Sequence, residues 1–152
     1  MSPRNLFRLF AFAEAVTWAF LLIAMFLKYV TQTTDAVVPI AGGLHGFVFL
    51  SYVLTTSFVW VNQRWSVGRG MLGLVSSVLP FTTIPFELVV DRKGGLDGPW
   101  RLVPGGDAPH GFIEHVQAWV LRRPFVAIGL GVLAVAAVFV VLLILGPPIP
   151  KG

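Results

Sequence analysis

Four long apolar stretches, separated by short polar breaks, dominate the order of residues along the chain. A helix needs ~20 mostly apolar residues to cross the hydrocarbon core of a bilayer. The first stretch runs from about Leu6 to Leu27, opening after Ser2-Pro3 and Arg4 and stopping at Lys28-Tyr29. It outruns a signal-peptide core and no small-x-small cleavage site follows it, so it predicts a retained helix. The second runs from about Pro39 to Val61, with Pro39 in a first-turn position that tolerates proline. The third spans about Gly70 to Val90. Its Pro80 and Pro85 each remove a backbone donor and predict a kink, with Thr82 and Thr83 at hand to satisfy freed carbonyls. The fourth runs from about Phe125 to Leu145, before Gly146-Pro147-Pro148, and carries no polar side chain from Val132 to Val141. That predicts a mostly lipid-facing helix.

The one sizeable polar segment is 91–123. Gly94-Gly95 to Pro99 and Gly105-Gly106-Asp107 are turn-forming residues. Beyond them Phe112, Val116, Trp119 and Val120 recur at helical spacing, which predicts a short amphipathic helix on the membrane surface. Trp60, Trp65 and Trp100 fall near predicted interfaces. The pattern as a whole predicts a single all-α membrane domain over residues 1–152. It has three core helices, a C-terminal fourth, and an amphipathic surface segment.

Composition supports the same reading. Hydrophobic residues make up 56% and charged residues 12%, and the mean hydropathy is +0.82. A water-facing surface needs about twice that charge, so most of the outside must face lipid. The expected location is the cell membrane, crossed several times. A net charge of +4 does not point to nucleic acid, because the eleven Lys and Arg flank the apolar segments instead of forming a basic patch with interleaved aromatics. The absence of cysteine removes disulfides and thiolate metal sites. Four crossings would put both termini and the 62–69 loop on one side. Five cations then stand on that side and six on the other, which is no bias. The two arginines before the first helix, against one lysine after it, favour termini inside.

Ionisable groups within spans are costly, so each is a candidate for function. Glu14 lies ~21 Å along its helix from Lys28, and antiparallel counting places Ser51-Tyr52 and Ser76-Ser77 at its depth. It is a proton-relay candidate or a packing group hydrogen-bonded across helices. Lys28, Glu87 and His45 fall towards the opposite face and predict a Lys28–Glu87 ion pair with His45 bonded inside the bundle. These groups do not make a metal site, which needs three or four convergent ligands. His110 and Glu114 share a helix face, with His115 adjacent, and read as solvated. Gly42, Gly43 and Gly46 suit close helix packing. The segment lacks the Lys and Ser/Thr of a phosphate-cradling loop. No nucleophile–base constellation is present, so neither enzymatic activity nor a cofactor is expected.

Phe7-Arg8 with Glu14, Met25-Phe26-Leu27-Lys28-Tyr29, Gly43-Leu44-His45-Gly46 and Leu79-Pro80-Phe81 together resemble the YdzA-like family of small bacterial membrane proteins, common in actinobacteria. The resemblance covers residues 4–93. Ala15, Phe26 and Thr82-Thr83-Ile84 depart from its pattern, and the remainder of the chain looks like an extension. The family is one of unknown function, so no activity carries over. The resemblance implies only that Glu14, Lys28 and His45 belong to a recurring arrangement. The expected function is a non-enzymatic accessory subunit of a larger membrane protein complex. By analogy, the specific candidate is an actinobacterial respiratory cytochrome bc–cytochrome c oxidase supercomplex. The alternative is a small oligomeric transporter or proton- or ion-conducting protein using Glu14, His45 and Glu87.

Overall fold

Ser2 opens the first helix: its side chain accepts from the Asn5 amide, and Pro3 takes the first helical position. In the computed structural model, which describes residues 1–145, this helix is α1, Pro3–Tyr29. It is followed by α2 (Val37–Gln63), α3 (Val67–Val75), α4 (Thr83–Arg92), α5 (Gly111–Arg122) and α6 (Pro124–Leu145). Left-handed Arg64, at φ 50°, closes α2 by returning its N–H to Trp60 and Val61.

The long helices α1 and α2 lie antiparallel, with the Phe7 and Tyr52 rings 5.6 Å apart and Glu14 opposite His45. Their inner end carries the apolar core, where the edge of Trp65 meets Phe7 at 5.7 Å and Phe86 packs against both. The Trp65 indole N–H, buried with its ring, donates to the Gly95 carbonyl at 2.7 Å.

The third predicted span is not a crossing. From Ser66, α3 runs back along α2. Gly70 lies against the Trp60 ring, Gly73 against Thr56, and Ser76 bonds the Tyr52 hydroxyl at 3.0 Å. The chain then turns through residues 76–82, and α4 returns along α1. Thr83 bonds the Ala11 carbonyl, Glu87 meets Arg8, and Asp91 meets Arg4 and Arg8. Helices α3 and α4, of 9 and 10 residues, are too short to span and instead form a re-entrant hairpin. The Ser77 carbonyl at its tip accepts from Trp18, ~21 Å along α1 from Arg4, which is about half of that helix.

Irregular backbone at this depth needs its polar groups satisfied from within the protein. Ser76 and Ser77 donate back to the Gly73 and Leu74 carbonyls, and Thr82 donates to those of Ser76 and Leu79. Pro80 has no N–H to leave unpaired, and Pro85 sits in the first turn of α4, where none is needed. The residues read as a kinked helix are therefore those of a turn.

Beyond the hairpin, α5 lies on the surface. Gln117 reaches the Phe58 carbonyl at the end of α2, while Phe112, Ile113, Val116 and Trp119 face outward. From there α6 descends alongside α2, with Ile128 beside Leu54 and Phe139 against Gly43, so it runs in the same direction as α1. Among the described residues three helices, α1, α2 and α6, are long and apolar enough to cross a membrane. The expectation of four crossings with both ends of the chain on one side gives way. The start of α1 and the far end of α6 lie on opposite sides.

The refolded third segment also redistributes the charge. Arg4, Arg8, Arg64, Arg69, Arg92, Lys93, Arg101, Arg122 and Arg123 all lie on the side where α1 begins, and Lys28 lies on the other. Lys151 and the predicted Gly-Pro-Pro stop fall outside the described residues. Nine against one is a strong bias, of the kind the positive-inside rule associates with a cytoplasmic face.

Candidate functional site

The inward face of α1 repeats at helical spacing through Phe7, Ala11, Glu14 and Thr17, all buried. This spacing carries Glu14 into the bundle near mid-depth. Its side chain is fully buried, and neither carboxyl oxygen has a hydrogen-bond partner. His45 of α2 places Nδ1 3.7 Å from Glu14 Oε2, within ion-pair reach but too long for a hydrogen bond.

Two neighbours on α1 set the geometry of the pair. The Thr17 hydroxyl donates to the Glu14 carbonyl at 3.0 Å and lies 3.2 Å from His45 Nδ1. A hydroxyl has one proton. With that proton committed to the carbonyl, the contact suits the tautomer that carries the imidazole N–H on Nδ1. Trp18 packs tilted against His45, ring centroids 4.5 Å apart at 54°, and donates its indole N–H to the Ser77 carbonyl at the hairpin tip at 3.2 Å. Three elements therefore converge on one acid–base pair. Thr17 and Trp18 carry no motif, and their only sequence signal is the turn-length spacing from Glu14.

The other predicted residues are distributed differently. Depth counting from Pro39 placed Tyr52 opposite Glu14, but α1 extends beyond the start of α2, so His45 takes that level and Tyr52 faces Phe7. Lys28 does not pair with Glu87. It sits at the far end of α1, 5.3 Å over the Tyr29 ring, while Glu87 accepts from Arg8 Nε at 2.8 Å. The cause is the return of α4, which carries Glu87 back to the side it came from. Of Gly42, Gly43 and Gly46, the second and third receive the Phe139 ring, and Gly42 is open. Closer approaches occur at Gly70 and Gly73, where an added Cβ would fall 2.1 Å from Trp60 and 2.9 Å from Thr56.

Glu114, although partly exposed, is paired within the protein. It accepts from the His110 amide and from Arg101, whose guanidinium also reaches the Val61 and Asn62 carbonyls at the end of α2. The His110 N–H and the Arg101 guanidinium hold the Glu114 carboxyl below the usual range. Among the described residues no three His, Asp or Glu converge as metal ligands.

Residues 4–92, from the first turn of α1 to the last residue of α4, match the family described as a domain of unknown function, DUF3817. The chain belongs to that family. The DUF3817 unit is accordingly two spans and the re-entrant hairpin, and α5 and α6 lie outside it. A membrane protein of Streptomyces coelicolor is 44% identical over 90 residues, covering 59% of this chain and 11% of that protein. The membrane protein YdzA of Bacillus subtilis is 31% identical over 87 residues, covering 57% of this chain and 90% of YdzA. The chain therefore spans only about a tenth of the Streptomyces relative. No solved structure matches.

Proposed function

We propose that the chain is a non-enzymatic accessory subunit of a larger membrane protein complex. The observation carrying this reading is how its DUF3817 unit is used in relatives. The unit accounts for 90% of YdzA and for 11% of the Streptomyces protein. A module that stands nearly alone in one protein and forms a small part of a much longer chain in another suits work beside a partner. Here α5 and α6 extend it. Among the described residues of α6 only Val135 is buried, so the helix has apolar surface for lipid or a neighbouring subunit. The respiratory cytochrome bc–cytochrome c oxidase supercomplex is the candidate to examine first, by analogy with the small subunits such assemblies carry. A mild-detergent pull-down of the tagged chain from its native membranes tests the reading. Stoichiometric recovery with the subunits of one large complex supports it, and recovery alone or only with itself overturns it.

The pairing of Glu14 with His45 favours a second reading, a small oligomeric transporter or proton- or ion-conducting protein. Of the three groups it calls on, Glu87 is held apart by Arg8 at the arginine-rich end. Liposome flux that is absent, or unchanged in Glu14→Gln, removes this reading.

A further inference from the structure

We propose that Glu14 and His45 form a buried proton-binding site whose occupancy is passed to the tip of the re-entrant hairpin through Trp18. The inference is independent of the accessory reading.

A fully buried carboxyl with both oxygens unpartnered is the most costly feature of the described bundle if left ionised and alone. A proton within the pair removes that cost, either on the carboxyl or on the facing imidazole. The geometry supplies a proton acceptor. With Nδ1–H directed at Thr17 and Glu14, the free nitrogen of His45 is Nε2, on a side chain 13% exposed at the edge of the bundle. An incoming proton forms an N–H bond at Nε2. Held on the ring, that proton makes an imidazolium 3.7 Å from Glu14 Oε2; once the gap closes to hydrogen-bond distance, the N–H bond at Nδ1 breaks as an O–H bond forms on Oε2, leaving a neutral acid beside a neutral ring. One proton enters and no other group changes charge.

Among the described residues no competing group faces the pair. On α1 the nearest charge is Arg8, ~9 Å along the helix and committed to Glu87 and Asp91. On α2 the Tyr52 phenol is bonded to Gly73 and Ser76. The hairpin tip offers only hydroxyls, with Glu87 of α4 held by Arg8. The sequence of α6 contains no ionisable residue.

The connection to the hairpin is direct. The indole that packs against His45 also pins the tip through Ser77. An imidazolium at His45 attracts that ring more strongly than a neutral imidazole does. Proton uptake therefore tightens the contact holding residues 76–82 for the share of time the proton resides on the ring, and the contact relaxes when it passes to Glu14.

The test uses the full chain in phosphatidylcholine liposomes. Infrared difference spectra taken against pH, with carboxyl-labelled glutamate, read the protonation of its three glutamates. Hydrogen exchange reads the tip. A buried carboxylic-acid band that titrates, is lost in Glu14→Gln, and moves its midpoint by about one pH unit or more in His45→Gln supports the site. Exchange over residues 76–82, corrected for intrinsic pH dependence, should be slower on the acid side in the native chain and insensitive to pH in His45→Gln. A band that does not titrate, or a midpoint and exchange profile unchanged in His45→Gln, overturns the proposal. Should Glu14→Gln fail to fold, the labelled native chain and His45→Gln decide between the same two outcomes.

Discussion

Arg8 of α1 donates to Glu87 of α4 at 2.8 Å, although the two residues are 79 positions apart. That contact fixes the course of the third apolar segment. A helix crossing the whole membrane from Gly70 would carry Glu87 to the level of Lys28. Instead, the segment descends halfway, turns on its own hydroxyls and brings Glu87 back to the second turn of α1.

The ion pair is asymmetric, with side-chain exposures of 50% for Arg8 and 5% for Glu87. Losing Arg8 strands a buried carboxylate, whereas Glu87→Gln leaves an exposed guanidinium still paired to Asp91. Arg8→Ala should therefore destabilise the hairpin by about 1–3 kcal/mol. Glu87→Gln should cost less, and Arg8→Ala added to Glu87→Gln should cost less than the sum. Thermal unfolding in detergent across this double-mutant cycle checks it.

Close packing supplies a second contrast. A Cβ at Gly70 would sit 2.1 Å from the Trp60 ring, which is itself held by a bond to the Trp65 carbonyl. Gly70→Ala should cost about 1–3 kcal/mol or more, because the ring must move. Gly42→Ala meets nothing within 4 Å and should be neutral or slightly stabilising. Melting temperatures of the two variants, measured side by side, decide whether the packing glycines lie on α3 or on α2.

The surface helix α5 should be sensitive to acid. The Glu114 carboxyl is held below its ordinary value by the His110 amide and by Arg101. Because the folded value is depressed, its contribution is fully present above the unfolded value of about 4.3 and is lost as pH falls through the lower folded value. Hydrogen exchange over residues 111–122 should accelerate in that acid range. In Glu114→Gln it should be faster at neutral pH and lose the acid step.

The three true crossings were legible because each is a long uninterrupted apolar run with polar stops, and so was the burial of Glu14 on the inward face of α1. The hairpin was not. Leu72 to Val90 has the composition of a span, and hydropathy averaged over ~20 residues cannot distinguish a crossing from a descent and return. Two signals were nevertheless present. Ser76-Ser77, Thr82-Thr83 and the two prolines concentrate turn chemistry at the middle of the run, and a four-crossing topology left an even split of cations that membrane proteins seldom show. The level of His45 was missed because helix starts were assumed to align, and α1 runs further than α2 at that end. The partnership of Arg101 with Glu114 and the α2 terminus is set by the loop's path, which spacing does not encode.

The most direct test of the account is the sidedness of Lys93. The natural chain has no cysteine, so single cysteines at exposed Asn5, Thr33 and Lys93 are unique reporters for a membrane-impermeant thiol reagent. The re-entrant hairpin predicts that Asn5→Cys and Lys93→Cys are protected together in intact cells and react together once the membrane is opened, while Thr33→Cys reacts from outside. Lys93→Cys reacting from the same side as Thr33→Cys would show that the third segment crosses the membrane and would contradict the topology on which the site rests.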